Sequence, residues 1–235
     1  MDAIAIIPAR GGSKRLPRKN IVDFLGRPII SYAIDAAHES RCFERVVVST
    51  EDEEIAAVAR RCGAEVEPRP ARLATDTVGV VDVCLDVLEC ESTKGRQWRV
   101  LGCLYPTAPL RNAADIRATM ALLQPDLCEF AMGVTSYDLQ PHLALKLAPD
   151  GGLAPMWPEL IDFRASDLPP LRISNGTTYA VYVDAFRRAR TFYGPGLRGY
   201  DMPRDRSIDI DTRDDLDFAA WTATAKGLGH ARSAG

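Results

Sequence analysis

Short apolar runs alternate with amphipathic stretches along the chain, and this rhythm sets the expected fold. Ala3–Pro8 reads as a buried strand and is followed by a polar loop from Ala9 to Asn20. Pro28 opens an amphipathic stretch that runs to His38, and proline suits the first turn of a helix. Val46–Ser49 is another apolar run of strand length. Asp52–Cys62 reads as a helix, with acidic residues in its first turn and Gly63 as its stop. Val78–Glu89 has helical periodicity and Val100–Tyr105 is strand-like. Asn112–Leu123 reads as a helix capped by Asn112, with Asp115 three residues on, and Phe130–Val134 as a further strand. Strand and helix alternating at this spacing predict an α/β fold: a mostly parallel sheet flanked by helices, in one domain over residues 1–235.

The rhythm breaks near Tyr137. From there to Leu171 the chain is proline-rich and irregular, with Asp150-Gly151-Gly152 as a turn between two apolar runs. This stretch, about 137–171, reads as an inserted arm. Thr177–Val183 resumes as a strand, Ser207–Ile210 as a short strand and Thr212–Lys226 as a closing helix. Gly227–Gly235 reads as a frayed end. Open α/β sheets bind ligands beyond the carboxyl ends of their strands, which singles out the loops after Pro8, Ser49, Tyr105 and Ile210.

Composition narrows the function. The formal net charge is −3 and the cations cluster near the start of the chain, which argues against bulk nucleic-acid binding and for a small anionic ligand. No run approaches the roughly 20 apolar residues of a membrane span. The first residues lack the features of a signal peptide, so a cytoplasmic protein is expected. Six cysteines form no C-x-x-C pair and read as reduced core residues. His38, His142 and His230 have no metal-ligand spacing, and no G-x-S-x-G elbow is present. Gly194-Pro-Gly196-Leu-Arg-Gly199 fits G-x-G-x-x-G, but it follows no clear strand and opens no helix.

Two segments carry chemistry. The first, from Arg10 to Asn20, holds five cations in eleven residues directly after the first strand: Arg10, Lys14, Arg15, Arg18 and Lys19. They can neutralise a polyphosphate, and the amides of Gly11, Gly12 and Ser13 can form an anion-binding nest. The second is Ile208-Asp209-Ile210-Asp211. On a strand, the two carboxylates would share one face while the isoleucines enter the core. Paired hard oxygen ligands suit Mg²⁺, completed by substrate phosphate oxygens. For Asp211 alone, a helix N-cap is an equal reading.

Arg10-Gly-Gly-Ser13-Lys-Arg-Leu-Pro-Arg-Lys19-Asn20 resembles the signature of the acylneuraminate cytidylyltransferase family, the CMP-sialic acid synthetases. Further segments match in order: Arg69 through Asp76-Thr77, Tyr105-Pro-Thr107-Ala-Pro-Leu-Arg111, Asn175-Gly-Thr-Thr-Tyr, and Ser207 through Asp211-Thr. The resemblance runs from Ile4 to about Ala220. It implies a Rossmann-like, seven-stranded sheet of the nucleotide-diphospho-sugar transferase type, and CTP and Mg²⁺ as co-substrate and cofactor. It also implies a homodimer whose arm reaches the partner's active site. By resemblance, Ala9, Arg10, Gly11, Ser13, Asn20, Arg69, Asp76 and Thr77 would hold the nucleotide. Tyr105, Thr107, Arg111, Lys146, Arg164, Arg172 and Asn175 would hold a nine-carbon sugar acid. Arg10, Lys19, Asp209 and Asp211 would carry catalysis, the last two as metal ligands. Tyr105 and Ala108 stand where sialic-acid members usually have Gln and Ser. A pseudaminic or legionaminic type of sugar is therefore expected ahead of N-acetylneuraminate. The alternatives are an octulosonate cytidylyltransferase and a non-catalytic nucleotide-binding protein on the same scaffold.

Overall fold

A computed structural model describes residues 2–228; His230 and the expected frayed end beyond Leu228 lie outside them. The elements run β1 (Ala3–Pro8), β2 (Asp23–Phe24), β3 (Arg27–Pro28), α1 (Ile29–Ser40), β4 (Arg45–Thr50), α2 (Glu53–Arg61), β5 (Glu65–Pro68) and α3 (Val80–Thr93). Then come β6 (Val100–Leu104), α4 (Ala113–Met120), β7 (Phe130–Ser136), β8 (Leu145–Leu147), β9 (Leu153–Pro155), β10 (Arg172–Tyr182), α5 (Val183–Ala189), β11 (Arg198–Asp201) and α6 (Arg213–Lys226). Seven strands form one sheet in the order β11-β7-β10-β6-β1-β4-β5. All are parallel except β10, which runs antiparallel to both β6 and β7.

The strands read as continuous apolar runs because both faces of the sheet are covered. On β1, Ala3, Ala5 and Ile7 pack with residues of α1, α2 and α4, whereas Ile4 and Ile6 pack with α3 and α5. A separate cluster beneath the basic loop joins Leu16, Phe24, Ile29 and Leu110 to Ile210 and the Leu216, Ala219 and Ala223 face of α6.

The helix signals act as expected. Asp52 accepts from the amides of Glu54 and Ile55 at the start of α2. Asn112–Asp115 and Thr212–Asp215 are both capping boxes, each cap worth about 1 kcal/mol. Pro28 caps α1 from outside rather than opening it.

Two further readings change, and two strands carry no signal to read. Ser207–Ile210 is not a strand: it follows a 3-10 turn at Arg204–Arg206 and no strand offers it a ladder. It is pinned instead by the Ile210 amide, which donates to the Thr107 carbonyl at 2.9 Å. Strands β5 and β11 carry polar residues on short edge segments and give no alternation to read. Val183 begins α5 rather than ending the preceding strand.

In residues 137–171 the turn at Gly151 (φ 87°) joins β8 to β9 in a hairpin outside the main sheet. The six described cysteines are all free, four of them buried. Gly194 lies against the Phe130 ring and Gly199 against Val134, so packing explains two glycines of the G-x-G-x-x-G segment. No helix among the described residues is long and apolar enough to cross a membrane.

Candidate active site

Two cavities open at the carboxyl ends of the parallel strands. The smaller, of about 180 Å³, is bounded by Arg10, Lys19, Asn20, Arg69, Tyr105 and Thr107, with Val78, Val80 and Val83 as its apolar wall. Six residues singled out from sequence therefore meet in one place. The Ala9 amide donates to the Ser49 carbonyl at 3.0 Å, so the chain leaves β1 still paired to β4. The Gly11 amide donates to Glu51 Oε1 at 2.7 Å. A Cβ on Gly11 would sit 2.6 Å from Asp52 Oδ2, so only glycine lets the loop cross the start of α2. The Ser13 amide donates to the Gly11 carbonyl at 3.0 Å. Two amides of the expected anion nest thus already have partners within the chain.

Asn20 is buried and donates through Nδ2 to the Arg10 carbonyl at 2.8 Å, which fixes the loop's two ends together. Arg69 is also buried; its guanidinium donates to the Ser49 carbonyl at 2.7 Å and to Ser49 Oγ at 3.3 Å. Burial lowers its pKa, with Glu51 opposing that shift.

The five cations do not converge on one point. Arg10 Nη1 and Lys14 Nζ hold the two oxygens of Asp76, at 2.7 and 2.6 Å. Lys19 Nζ and Arg15 Nη2 hold the two oxygens of Asp211, both at 2.7 Å. Arg18, at φ 57°, turns away to Asp52 and Glu54 at the start of α2. Hydrogen bonds from Lys14 and then Arg10 lower the Asp76 pKa. At Asp211 burial raises the pKa, but Lys19 and Arg15 together outweigh it and the net shift is downward.

The larger cavity, of about 960 Å³, has Asp209, Asn175, Gly176 and Tyr105 on its floor and α6 as one wall. Tyr105 borders both cavities. Asp209 Oδ1 accepts from Thr107 Oγ1 at 2.6 Å, so the carboxylate of one cavity is tied to the lining of the other. Burial raises the Asp209 pKa; Thr107 counters that shift, and Asp211 adds to it. Gly176 has φ 65°, and a Cβ there would lie 2.8 Å from Asp209 Oδ2. The Asn-Gly motif is thus explained: glycine clears the space that Asp209 occupies. Asn175 Oδ1 accepts from the Thr177 amide and hydroxyl at 3.2 and 2.7 Å, and its Nδ2 donates to Ser207 Oγ at 3.0 Å. Burial keeps the Tyr105 hydroxyl protonated, and its ring leans on Tyr179 at 5.5 Å.

Other sequence-predicted residues sit elsewhere. Arg111 is buried 2% exposed, with Nη1 donating to the carbonyls of Thr177 and Tyr105 at 2.6 and 3.2 Å. It ties β6 to β10 and lines neither cavity; burial lowers its pKa to about 10. Thr77 pairs with Thr75 at 3.1 Å and, like Asp76, stands outside the smaller cavity. Lys146 and Arg164 are exposed in the 137–171 segment, and Arg172 donates to Asp201 Oδ2 at 2.7 Å. Within one chain these three do not meet Asp209.

Sequence reasoning missed two groups. The valine wall is written as helix periodicity and carries no separate signal. Asp115, fully buried, accepts from the Arg206 guanidinium at 2.8 and 3.0 Å and from the Tyr200 hydroxyl at 3.3 Å. It anchors the turn that leads to Asp209. Its capping-box role was legible; its partner 91 residues away was not.

An α/β sheet with a basic loop beside paired carboxylates at its strand ends is the architecture of a nucleotidyltransferase. Residues 4–125 match the family described as cytidylyltransferase. The pseudaminic acid cytidylyltransferase of Campylobacter jejuni subsp. jejuni serotype O:2 is 33% identical over 220 residues, covering 93% of this chain and 95% of that protein. The CMP-N,N'-diacetyllegionaminic acid synthase of Legionella pneumophila is 32% identical over 231 residues, covering 96% of each. In solved structures the same fold occurs in a CMP:2-keto-3-deoxy-manno-octonic acid synthetase complexed with CTP, at a TM-score of 0.69 and 17% identity, over 95% of this chain and 99% of that one. The chain belongs to the cytidylyltransferase family.

Proposed function

We propose that the protein transfers CMP from CTP to the anomeric hydroxyl of a nonulosonic, sialic-acid-like sugar acid, releasing pyrophosphate. The hydroxyl oxygen would bond to the α-phosphorus as the bond to the β-phosphate oxygen breaks. The hydroxyl proton passes to solvent water, and pyrophosphate leaves with the electron pair of the broken bond. The observation that carries this reading is the Thr107–Asp209 contact, which joins a small basic cavity to a large one at a carboxylate. The smaller cavity suits a nucleotide, with Asn20 and Arg69 toward the cytidine and Arg10 and Lys19 toward the phosphates. The larger suits the sugar acid. Such transfer depends on positioning and charge stabilisation rather than on covalent protein chemistry.

The donor set at Asp209 and Asp211 fits Mg²⁺. Both are hard oxygen ligands, Asp209 held by Thr107 and Asp211 by Lys19 and Arg15. Two protein carboxylates would leave the rest of the coordination shell to substrate phosphate oxygens and water. When bound, Mg²⁺ supplies Lewis acidity, neutralising phosphate charge and acidifying a hydroxyl. Lys19 and Arg15, which hold Asp211 here, are then free to turn to the phosphates.

The sugar is proposed to be a di-N-acylated 6- or 9-deoxy nonulosonate. Tyr105 presents one neutral hydroxyl and an apolar ring to the larger cavity, which favours a less polar sugar face. Relatives named for pseudaminic, diacetyllegionaminic and N-acylneuraminic acids are about equally similar, so they support the nonulosonate class, and the choice within it rests on Tyr105. A pyrophosphate-release panel of N-acetylneuraminate, legionaminate, pseudaminate and octulosonate tests this. A di-N-acylated sugar should have the highest kcat/KM. A tenfold preference for N-acetylneuraminate, worth about 1.4 kcal/mol, contradicts it.

The arm and the location complete the proposal. Leu143, Leu145, Leu147 and Leu153 are 52–73% exposed, an apolar surface that a lone chain leaves in water. A homodimer covering this arm would also bring Lys146 and Arg164 to a second active site. Light scattering should give twice the chain mass, and an active protein of single-chain mass would contradict it. A cytoplasmic location agrees with six unpaired cysteines and a CTP-dependent reaction.

A further inference from the structure

Most carboxylates around the basic loop are committed to the fold. Asp52 accepts from the amides of Glu54 and Ile55 and so caps α2, with Arg18 added to it. Asp215 completes the capping box of α6. Asp76 has no such duty. It stands in the link between β5 and α3, where Gly79 rather than Asp76 is the cap of the helix. Among the described residues its carboxylate accepts from two groups only. Oδ1 takes Arg10 Nη1 at 2.7 Å and Oδ2 takes Lys14 Nζ at 2.6 Å.

Both partners are cations of the loop that follows β1. A phosphate group offers such side chains the same thing: anionic oxygens close together, able to take a guanidinium and an ammonium at once. Arg10 borders the smaller cavity, whereas Asp76 lies outside its lining. The guanidinium is thus tied to a carboxylate at the rim of the cavity whose phosphates it would serve. The side chains of Arg10, Lys14 and Asp76 are 37%, 83% and 47% exposed, and ion pairs this open to water hold weakly and exchange readily. The Gly11 amide, in the same loop, is likewise taken by a carboxylate, that of Glu51.

We infer that Asp76 occupies the place of a phosphate: it competes with the nucleotide for Arg10 and Lys14, and so sets how tightly the triphosphate and the departing pyrophosphate are held. This rests on the nucleotide reading of the smaller cavity. A residue that resemblance puts among the nucleotide's holders is thereby given the opposite sign. CTP has to displace the carboxylate to gain the two cations. When pyrophosphate forms, the same carboxylate is at hand to recapture them, which eases the release of a highly charged product.

The test is calorimetric binding of CTP, and separately of pyrophosphate, to the full chain with Mg²⁺ and no sugar acid. Wild type is compared with Asp76→Asn, Asp76→Glu and Glu54→Gln. Asp76→Asn should bind both ligands at least threefold more tightly, and in steady state its KM for CTP should fall by a similar factor. Asp76→Glu keeps the charge and should stay within twofold of wild type. Glu54→Gln removes the same unit charge from the other end of the loop, where Arg18 is held, and should change neither constant by more than 1.5-fold. A gain below threefold in Asp76→Asn overturns the inference, as does weaker binding, which is the result if Asp76 braces the loop in its binding shape. An equal gain in Glu54→Gln or in Asp76→Glu overturns it too, since the effect would then be one of general charge or of loop shape. If wild type itself binds no CTP, the reading of the smaller cavity fails, and this inference falls with it.

Discussion

Asp211→Asn is expected to lower kcat by on the order of 10²–10³-fold, the usual cost of removing one charge-stabilising group from a transition state. Asn is nearly isosteric, and the capping box of α6 uses Thr212 and Asp215 rather than the Asp211 side chain. The fold should therefore survive, and the melting temperature should stay within a few degrees. What is lost is the negative charge that Lys19 and Arg15 now share, and with it one of two proposed Mg²⁺ ligands. Asp209→Asn should be as severe, because its carboxylate is held by Thr107 in the space that Gly176 leaves open. Chelation should abolish turnover in the unmodified protein, and added Mg²⁺ should restore it. Full activity in both Asn variants would remove the metal from this site.

Lys19→Ala and Arg10→Ala are each expected to reduce kcat/KM for CTP by roughly 10²-fold, since each removes a cation proposed to face the phosphates. The two side chains border the same small cavity but pair with different carboxylates, Asp211 and Asp76. Their defects should therefore differ in kind. Without Lys19, Asp211 keeps only Arg15 and is left more negative, so Lys19→Ala should also lower the Mg²⁺ concentration needed for half-maximal activity. Arg10→Ala should leave that concentration unchanged. Effects below about threefold at both positions would move the triphosphate to another part of the surface.

The loop from Arg10 to Asn20 was legible because its chemistry is local: charge, glycine and position after a strand all lie within eleven residues. The parallel core was legible for a similar reason, since a doubly covered strand writes itself as an unbroken apolar run. Asp209 and Asp211 were found by a reading that was partly wrong. The spacing suggested two carboxylates on one strand face, but Ser207–Asp211 is an irregular segment held by one backbone bond to Thr107 and by Arg206 on Asp115. Their nearness comes from tertiary anchors that no period encodes. Arg111 shows the opposite limit. A cation within a sugar-pocket motif reads as a ligand for an anion, yet it is buried, with Nη1 on the carbonyls of Tyr105, just past β6, and Thr177 of β10, and with Nε and Nη2 unpartnered. Asp76 lay within a nucleotide motif, but its service to Arg10 and Lys14 spans more than sixty residues and appears only in the fold.

The measurement that bears most directly on the central claim follows CTP and its products by phosphorus NMR, with and without a di-N-acylated nonulosonate, in the presence of Mg²⁺. The expected result is pyrophosphate formed only when the sugar acid is present, in equal amount to a new CMP-sugar diester signal, with ATP, GTP and UTP giving neither. Pyrophosphate released without sugar, orthophosphate as the product, or intact CTP with every sugar acid offered would contradict it.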